Sequence, residues 1–103
     1  MPDGVVTLDE SGFAATGEGI WLIDFWAAWC SPCRALEPVL EQLAGEVAPA
    51  RIGKVEVTEQ KALAERFAVS TLPTLVVLRD GVEVKRMIGA RPKQALARAL
   101  AEA

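Results

Sequence analysis

Two cysteines occur in the chain, three positions apart in the run Trp29-Cys30-Ser31-Pro32-Cys33. Disulfide exchange needs an attacking thiolate, a second thiol within reach and access for the substrate. The spacing meets the first two needs when the first cysteine sits at a helix N-terminus. There the unpaired N–H groups and the positive end of the dipole favour a thiolate. Pro32 starts such a helix without wasting a backbone donor. One helical turn then holds the Cys33 sulfur close to Cys30 and away from solvent. On this reading Cys30 attacks a target disulfide to form a mixed disulfide. Cys33 then attacks Cys30, releasing the reduced target and leaving a Cys30–Cys33 bond. The structural alternatives are two buried cysteines or half of a zinc site. A zinc site would need two more ligands, yet the chain has no third cysteine and no histidine. A purely structural disulfide across so short a loop would gain little in loop entropy.

The absence of histidine also excludes a Ser-His-Asp triad and a Cys-His protease pair. The net charge is -3 and the basic residues are spread along the chain, which gives no electrostatic case for nucleic acid. No apolar run approaches the roughly eighteen residues that span a membrane. The start, Met1-Pro2-Asp3-Gly4, lacks the charged and apolar regions of a secretory signal, so a cytoplasmic location is expected unless a signal has been removed. At 103 residues a single domain, 1–103, is expected.

These residues need elements to position them. Val5-Val6-Thr7-Leu8 is a short β-branched run, and Asp9-Glu10-Ser11 can cap a brief helix through Ala15 before Gly17-Glu18-Gly19 breaks the chain. Ile20 to Trp26 is nearly continuous apolar sequence, as in a strand buried on both faces. Leu36, Val39, Leu40 and Leu43 recur at helical spacing, predicting a helix from Pro32 to about Val47 with a kink at Pro38. Ile52, Val55 and Val57 read as the next strand, and Thr58 as the N-cap of a helix over Glu59–Phe67. Pro73–Leu78 is a strand, Arg79-Asp80-Gly81 a hairpin turn, and Val82–Ile88 the returning strand. Pro92–Ala103 closes the chain as a helix with Pro92 in its first turn. This order predicts an α/β fold, a mixed central sheet with helices on both faces.

The segment Asp24-Phe25-Trp26-Ala27-Ala28-Trp29-Cys30-Ser31-Pro32-Cys33-Arg34 strongly resembles the active-site segment of thioredoxins. Leu72-Pro73-Thr74, Lys54, Gly89-Ala90 and Pro38 match further features of that family in the right order. The resemblance covers essentially the whole chain. It implies the thioredoxin fold, with about five strands and about four flanking helices. It also implies a cis Leu72–Pro73 bond beside the dithiol, where an incoming peptide can pair with the main chain at Leu72. Asp24, a carboxylate within an apolar strand, would accept the Cys33 proton through water, its pKa raised by burial. Lys54 would lie near Asp24 and tune its charge, although an exposed strand lysine is the plainer reading.

Trp29 would cover Cys30 while Trp26 packs beneath the loop. Pro32, Thr71, Leu72, Ile88, Gly89 and Ala90 would complete a mostly apolar docking surface. Trp21 is assigned to packing, and Arg34 to solvent. The implied activity is protein-disulfide reduction, recharged by a thioredoxin reductase drawing on NADPH. The chain carries no Gly-rich nucleotide motif, so no bound NADPH or flavin cofactor is expected, and without histidine or a third cysteine no metal is expected either. Disulfide-bearing proteins are the expected substrates, and a monomer the expected state.

Two stretches depart from the family pattern. Ser31 replaces the commoner glycine, which alters the thiolate's hydrogen bonds and hence the reduction potential. Thr58-Glu59-Gln60-Lys61 replaces a stretch that usually contains Asp and Pro, which bears on reductase recognition. The same chemistry run in reverse would make an oxidase or isomerase. A non-catalytic binding module is the alternative of a different class.

Overall fold

The computed structural model describes residues 4–103. Among them, five strands, three α-helices and one 3-10 helix follow the expected order. They are β1 (Val6–Thr7), the 3-10 helix (Gly12–Gly17), β2 (Ile20–Trp26), α1 (Ser31–Ala44), β3 (Arg51–Glu56), α2 (Lys61–Arg66), β4 (Thr74–Arg79), β5 (Val82–Ile88) and α3 (Lys93–Ala101). The sheet order is β1-β3-β2-β4-β5. β2 runs parallel to β3 on one side and antiparallel to β4 on the other.

Alternation along β2 explains its continuous apolar sequence, because both faces are covered. Leu22 packs with Leu75 and Val77 against Leu36, Leu40 and Leu43 of α1 and Leu96 of α3. Trp21, Ile23 and Phe25 point to the other face, with Phe13 of the 3-10 helix and Leu63 and Phe67 at α2. Phe67 lies 5.5 Å from the ring of Phe13 and 5.4 Å from that of Phe25. Truncating such a buried Leu or Phe to Ala costs about 2–5 kcal/mol. Gly53 of β3 is required by packing, since a Cβ there would collide with the Leu8 side chain. Trp21 is a packing residue as expected, buried with its indole N–H donating to the Glu18 carbonyl at 3.2 Å.

Several boundaries and caps differ from the sequence reading. α1 ends at Ala44, where the Gly45 N–H closes the last turn on Gln42, so Val47 lies outside it. Val47 still packs on the core, which is why the apolar pattern ran past the helix end. Thr58 is not an N-cap. The Glu56 carboxylate instead accepts from the Thr58 N–H at 2.7 Å and the Glu59 N–H at 2.9 Å, and α2 begins only at Lys61. Ser11 does not cap the 3-10 helix with its side chain, whereas Asp9 accepts from the Gly12 N–H at 2.6 Å. Pro92 is the N-cap of α3 rather than a first-turn residue, and its extended ψ of 154° sets the entry. The hairpin turn is as expected, with Asp80 (φ 49°) and Gly81 (φ 84°) both left-handed, as a two-residue type I′ turn demands.

Candidate active site

Cys30 is the N-cap of α1, and its sulfur accepts the Cys33 N–H at 3.3 Å. That donor is one of the helix's unpaired N-terminal groups, so the cap itself favours negative charge on the Cys30 sulfur. The two sulfurs are bonded as a disulfide with the Cα atoms 5.3 Å apart. Cys33 is fully buried while Cys30 retains 6% exposure, so Cys30 is the more accessible sulfur but is largely covered in this oxidised state.

Cys30 opens on a groove of about 420 Å³ that it lines together with Trp29 and Pro32. Val57, Val69, Ser70 and Leu72 form the rest of its walls. Trp29 stands 70% exposed beside it. Trp26, Val57 and Leu72 pack against the buried cluster of Ala27, Cys30 and Cys33, which places Trp26 beneath the loop.

The Leu72–Pro73 bond is cis and Pro73 is buried. The Pro73 carbonyl accepts the Gly89 N–H at 2.8 Å, and Thr74 pairs with Ile88. These bonds bring Thr71, Leu72 and Pro73 alongside Ile88, Gly89 and Ala90. Of the six, Leu72 forms a groove wall. Thr71, Ile88 and Ala90 are exposed, and Gly89 is half-buried. Ile88, an apolar residue at the end of β5, is 46% exposed.

Asp24 projects on the α1 side of the sheet, 1% exposed, with Lys54 as its partner in register. Its Oδ1 finds no hydrogen-bond partner among the described residues. Burial pushes its pKa up to about 7, with the Lys54 charge pulling down and the Glu37 charge pushing up. Lys54 is half-buried. Its ammonium lies 3.5 Å from Glu37 Oε2 and 5.1 Å from the centre of the Trp26 ring. Arg34 is exposed.

The sequence reading missed four kinds of residue. Val57, Val69 and Ser70 wall the groove only because β3 and the segment before β4 end beside the cysteine loop. Glu37 carried a usable signal, since it lies one turn beyond Cys33 on the same helix face. Glu56 reaches across to the Ala28 N–H at 3.3 Å, steadying the approach to Trp29. Arg91 Nη1 donates to the carbonyls of Ile88 (2.8 Å), Ala90 (3.2 Å) and Gly89 (3.4 Å), and no sequence pattern announces it. Among the described residues no cluster of three or more His, Cys, Asp or Glu could hold a metal ion, and no helix is long and apolar enough to cross a membrane.

The family model described as "Thioredoxin" matches residues 5–102. Thioredoxin of Chlamydia caviae is 48% identical over 88 residues, covering 85% of this chain and 84% of that protein. Thioredoxin of Bacillus subtilis is 44% identical over 93 residues, covering 89% of each. Among solved structures, a point mutant of thioredoxin from Halobacterium salinarum superimposes with a TM-score of 0.90 at 34% identity, covering 98% of this chain and 91% of that one. The oxidised mitochondrial thioredoxin 3 of Saccharomyces cerevisiae gives 0.86 at 28% identity, covering 96% and 95%. With its cysteine pair at a helix start and its family match spanning nearly all the described residues, the chain belongs to the thioredoxin family of protein-disulfide oxidoreductases.

Proposed function

We propose that the chain is a general protein-disulfide reductase in which Cys30 is the nucleophile and Cys33 the resolving thiol. The Cys30 thiolate attacks one sulfur of a target disulfide, forming a mixed disulfide and releasing the other target sulfur as thiolate. Asp24 then takes the Cys33 proton through water. The Cys33 thiolate attacks Cys30, the Cys30–Cys33 bond forms, and the second target sulfur leaves as thiolate. Two electrons have passed to the target, and a thioredoxin reductase returns them. Family members act on disulfide substrates and are reduced by that enzyme; the particular targets of this chain, its cytoplasmic location and its monomeric state belong to the proposal.

The observation that carries this reading is the Cys33 N–H directed at the Cys30 sulfur, in a groove open to a peptide. Trp29, Pro32 and Leu72 offer apolar contact there. Trp26 supports the loop, and Lys54 adjusts the field at Asp24. Pro73 holds the Leu72 main chain toward an incoming strand, while Thr71, Ile88, Gly89 and Ala90 extend the docking surface.

Cys33→Ser tests the order of attack. The variant should accumulate mixed disulfides through Cys30 in cell extract, and recovering none would overturn the assignment. Equilibration against glutathione tests the direction. A reductase is expected near about -270 mV, and a value near about -180 mV would instead indicate an isomerase or oxidase.

A further inference from the structure

Lys54 is the register partner of Asp24, yet its ammonium is paired with Glu37 rather than with that buried carboxyl. Glu37 reaches it from α1, one turn beyond Cys33 and on the same helix face. The Trp26 ring takes up another side of the ammonium. We propose that Glu37 is a positioning residue of the exchange reaction, drawing the Lys54 ammonium toward the surface so that Asp24 lacks a direct counter-charge and stays basic enough to take the Cys33 proton. This rests on the reading of Asp24 as proton acceptor.

The alternative arrangement explains why the placement matters. A direct Lys54–Asp24 pair would hold Asp24 ionised well below neutrality, making it a weak base. Glu37 opposes this twice, by competing for the ammonium and by its own negative field at Asp24, which acts in the same direction. With the two side chains 22% and 42% exposed, the ion pair contributes little to stability. On β3, Glu56 shares this face of the sheet two residues beyond Lys54, but its carboxylate is taken by the N–H groups of Ala28, Thr58 and Glu59. The β4 neighbour of Asp24 is Leu75, and α3 presents Leu96, Ala99 and Leu100 to this side of the sheet. Arg34 and Glu41 flank Glu37 on α1 and are exposed. Cys33, the other reactive side chain on this helix face, is held in the disulfide in this oxidised state.

Glu37→Gln keeps the size and removes the charge. The Asp24 carboxyl carbon is followed by NMR against pH in the oxidised protein, and the rate of insulin disulfide reduction is followed over the same range. In Glu37→Gln the Asp24 midpoint should fall by roughly 0.5–1 pH unit, and the acid limb of the rate profile should move with it. Glu41→Gln, which removes a charge one turn further on, should move neither. In an Asp24→Asn background Glu37→Gln should leave the rate profile where it is. An unmoved Asp24 midpoint in Glu37→Gln overturns the role of Glu37, even where Asp24→Asn alters the profile. A profile indifferent to Asp24→Asn overturns the proton-acceptor reading itself, and this proposal with it.

Discussion

The Asp24 carboxyl loses its proton only at about 7 in the folded protein, against 3.8 for an ordinary aspartate, because burial disfavours the charge more than Lys54 relieves it. Between these values the folded state keeps a proton that the unfolded state has released. Folding stability therefore falls as pH rises through that window, by about 4 kcal/mol in all. Asp24→Asn removes the dependence. Its urea unfolding midpoint should match the parent near pH 4 and exceed it at pH 8. Arg91 acts by geometry instead, through its bonds to three successive carbonyls of the Ile88–Ala90 segment. Arg91→Ala should raise KM for a protein disulfide by roughly threefold to tenfold, as expected for losing about 1 kcal/mol of ordering. Turnover of a small aromatic disulfide should not change, since it needs little of that surface. Cys30, Cys33 and Asp24 were legible in sequence because each is chemically out of place: a thiol pair at a helix start, an acid in an apolar run. Arg91 was not, because carbonyl acceptors belong to every residue type and leave no trace in sequence.

The ends of elements depend on contacts made far away in the chain. Glu56 closes β3, and its carboxylate gathers the N–H groups of Ala28, Thr58 and Glu59. Burial pushes its pKa up, but the Thr58 hydroxyl and these N–H groups outweigh that and leave it lowered. The sign is opposite to that of Asp24. The contribution is present above the unfolded pKa and is lost as pH falls through the folded one. Glu56→Gln should flatten that acid-side loss and lower stability at pH 7 by about 1 kcal/mol, measured by urea unfolding. Periodicity located β2 and β5 to the residue because their flanking signals, Gly19 and Asp80-Gly81 among them, are local. It misplaced the start of α2 because Thr58 is held in the turn that follows β3, its N–H and hydroxyl both donating to the Glu56 carboxylate. It carried α1 too far because Val47 is apolar for a tertiary reason.

At the scale of the whole molecule, the cysteine pair is nearly independent of what holds the fold. The bond joins residues three apart, so closing that loop supplies about 2 kcal/mol at most. The double variant Cys30→Ala/Cys33→Ala should therefore stay folded, losing about 2–3 kcal/mol against the oxidised parent with the small cavity included. It should reduce no disulfide. Calorimetry and an insulin assay read the two outcomes separately. The sheet shows why this separation is possible. Trp26, Glu56, Thr74 and Ile88 lie side by side at one edge, where β2, β3 and β5 finish and β4 begins. Ile20, Arg51, Arg79 and the Asp80-Gly81 turn lie toward the other, where Asp80 is tied to Gly19. The groove-lining residues all lie outside the strands, in the loops and the first turn of α1 at that first edge. Ser31, exposed between the cysteines, can therefore reset the redox poise of the pair without touching the strands that hold the fold together.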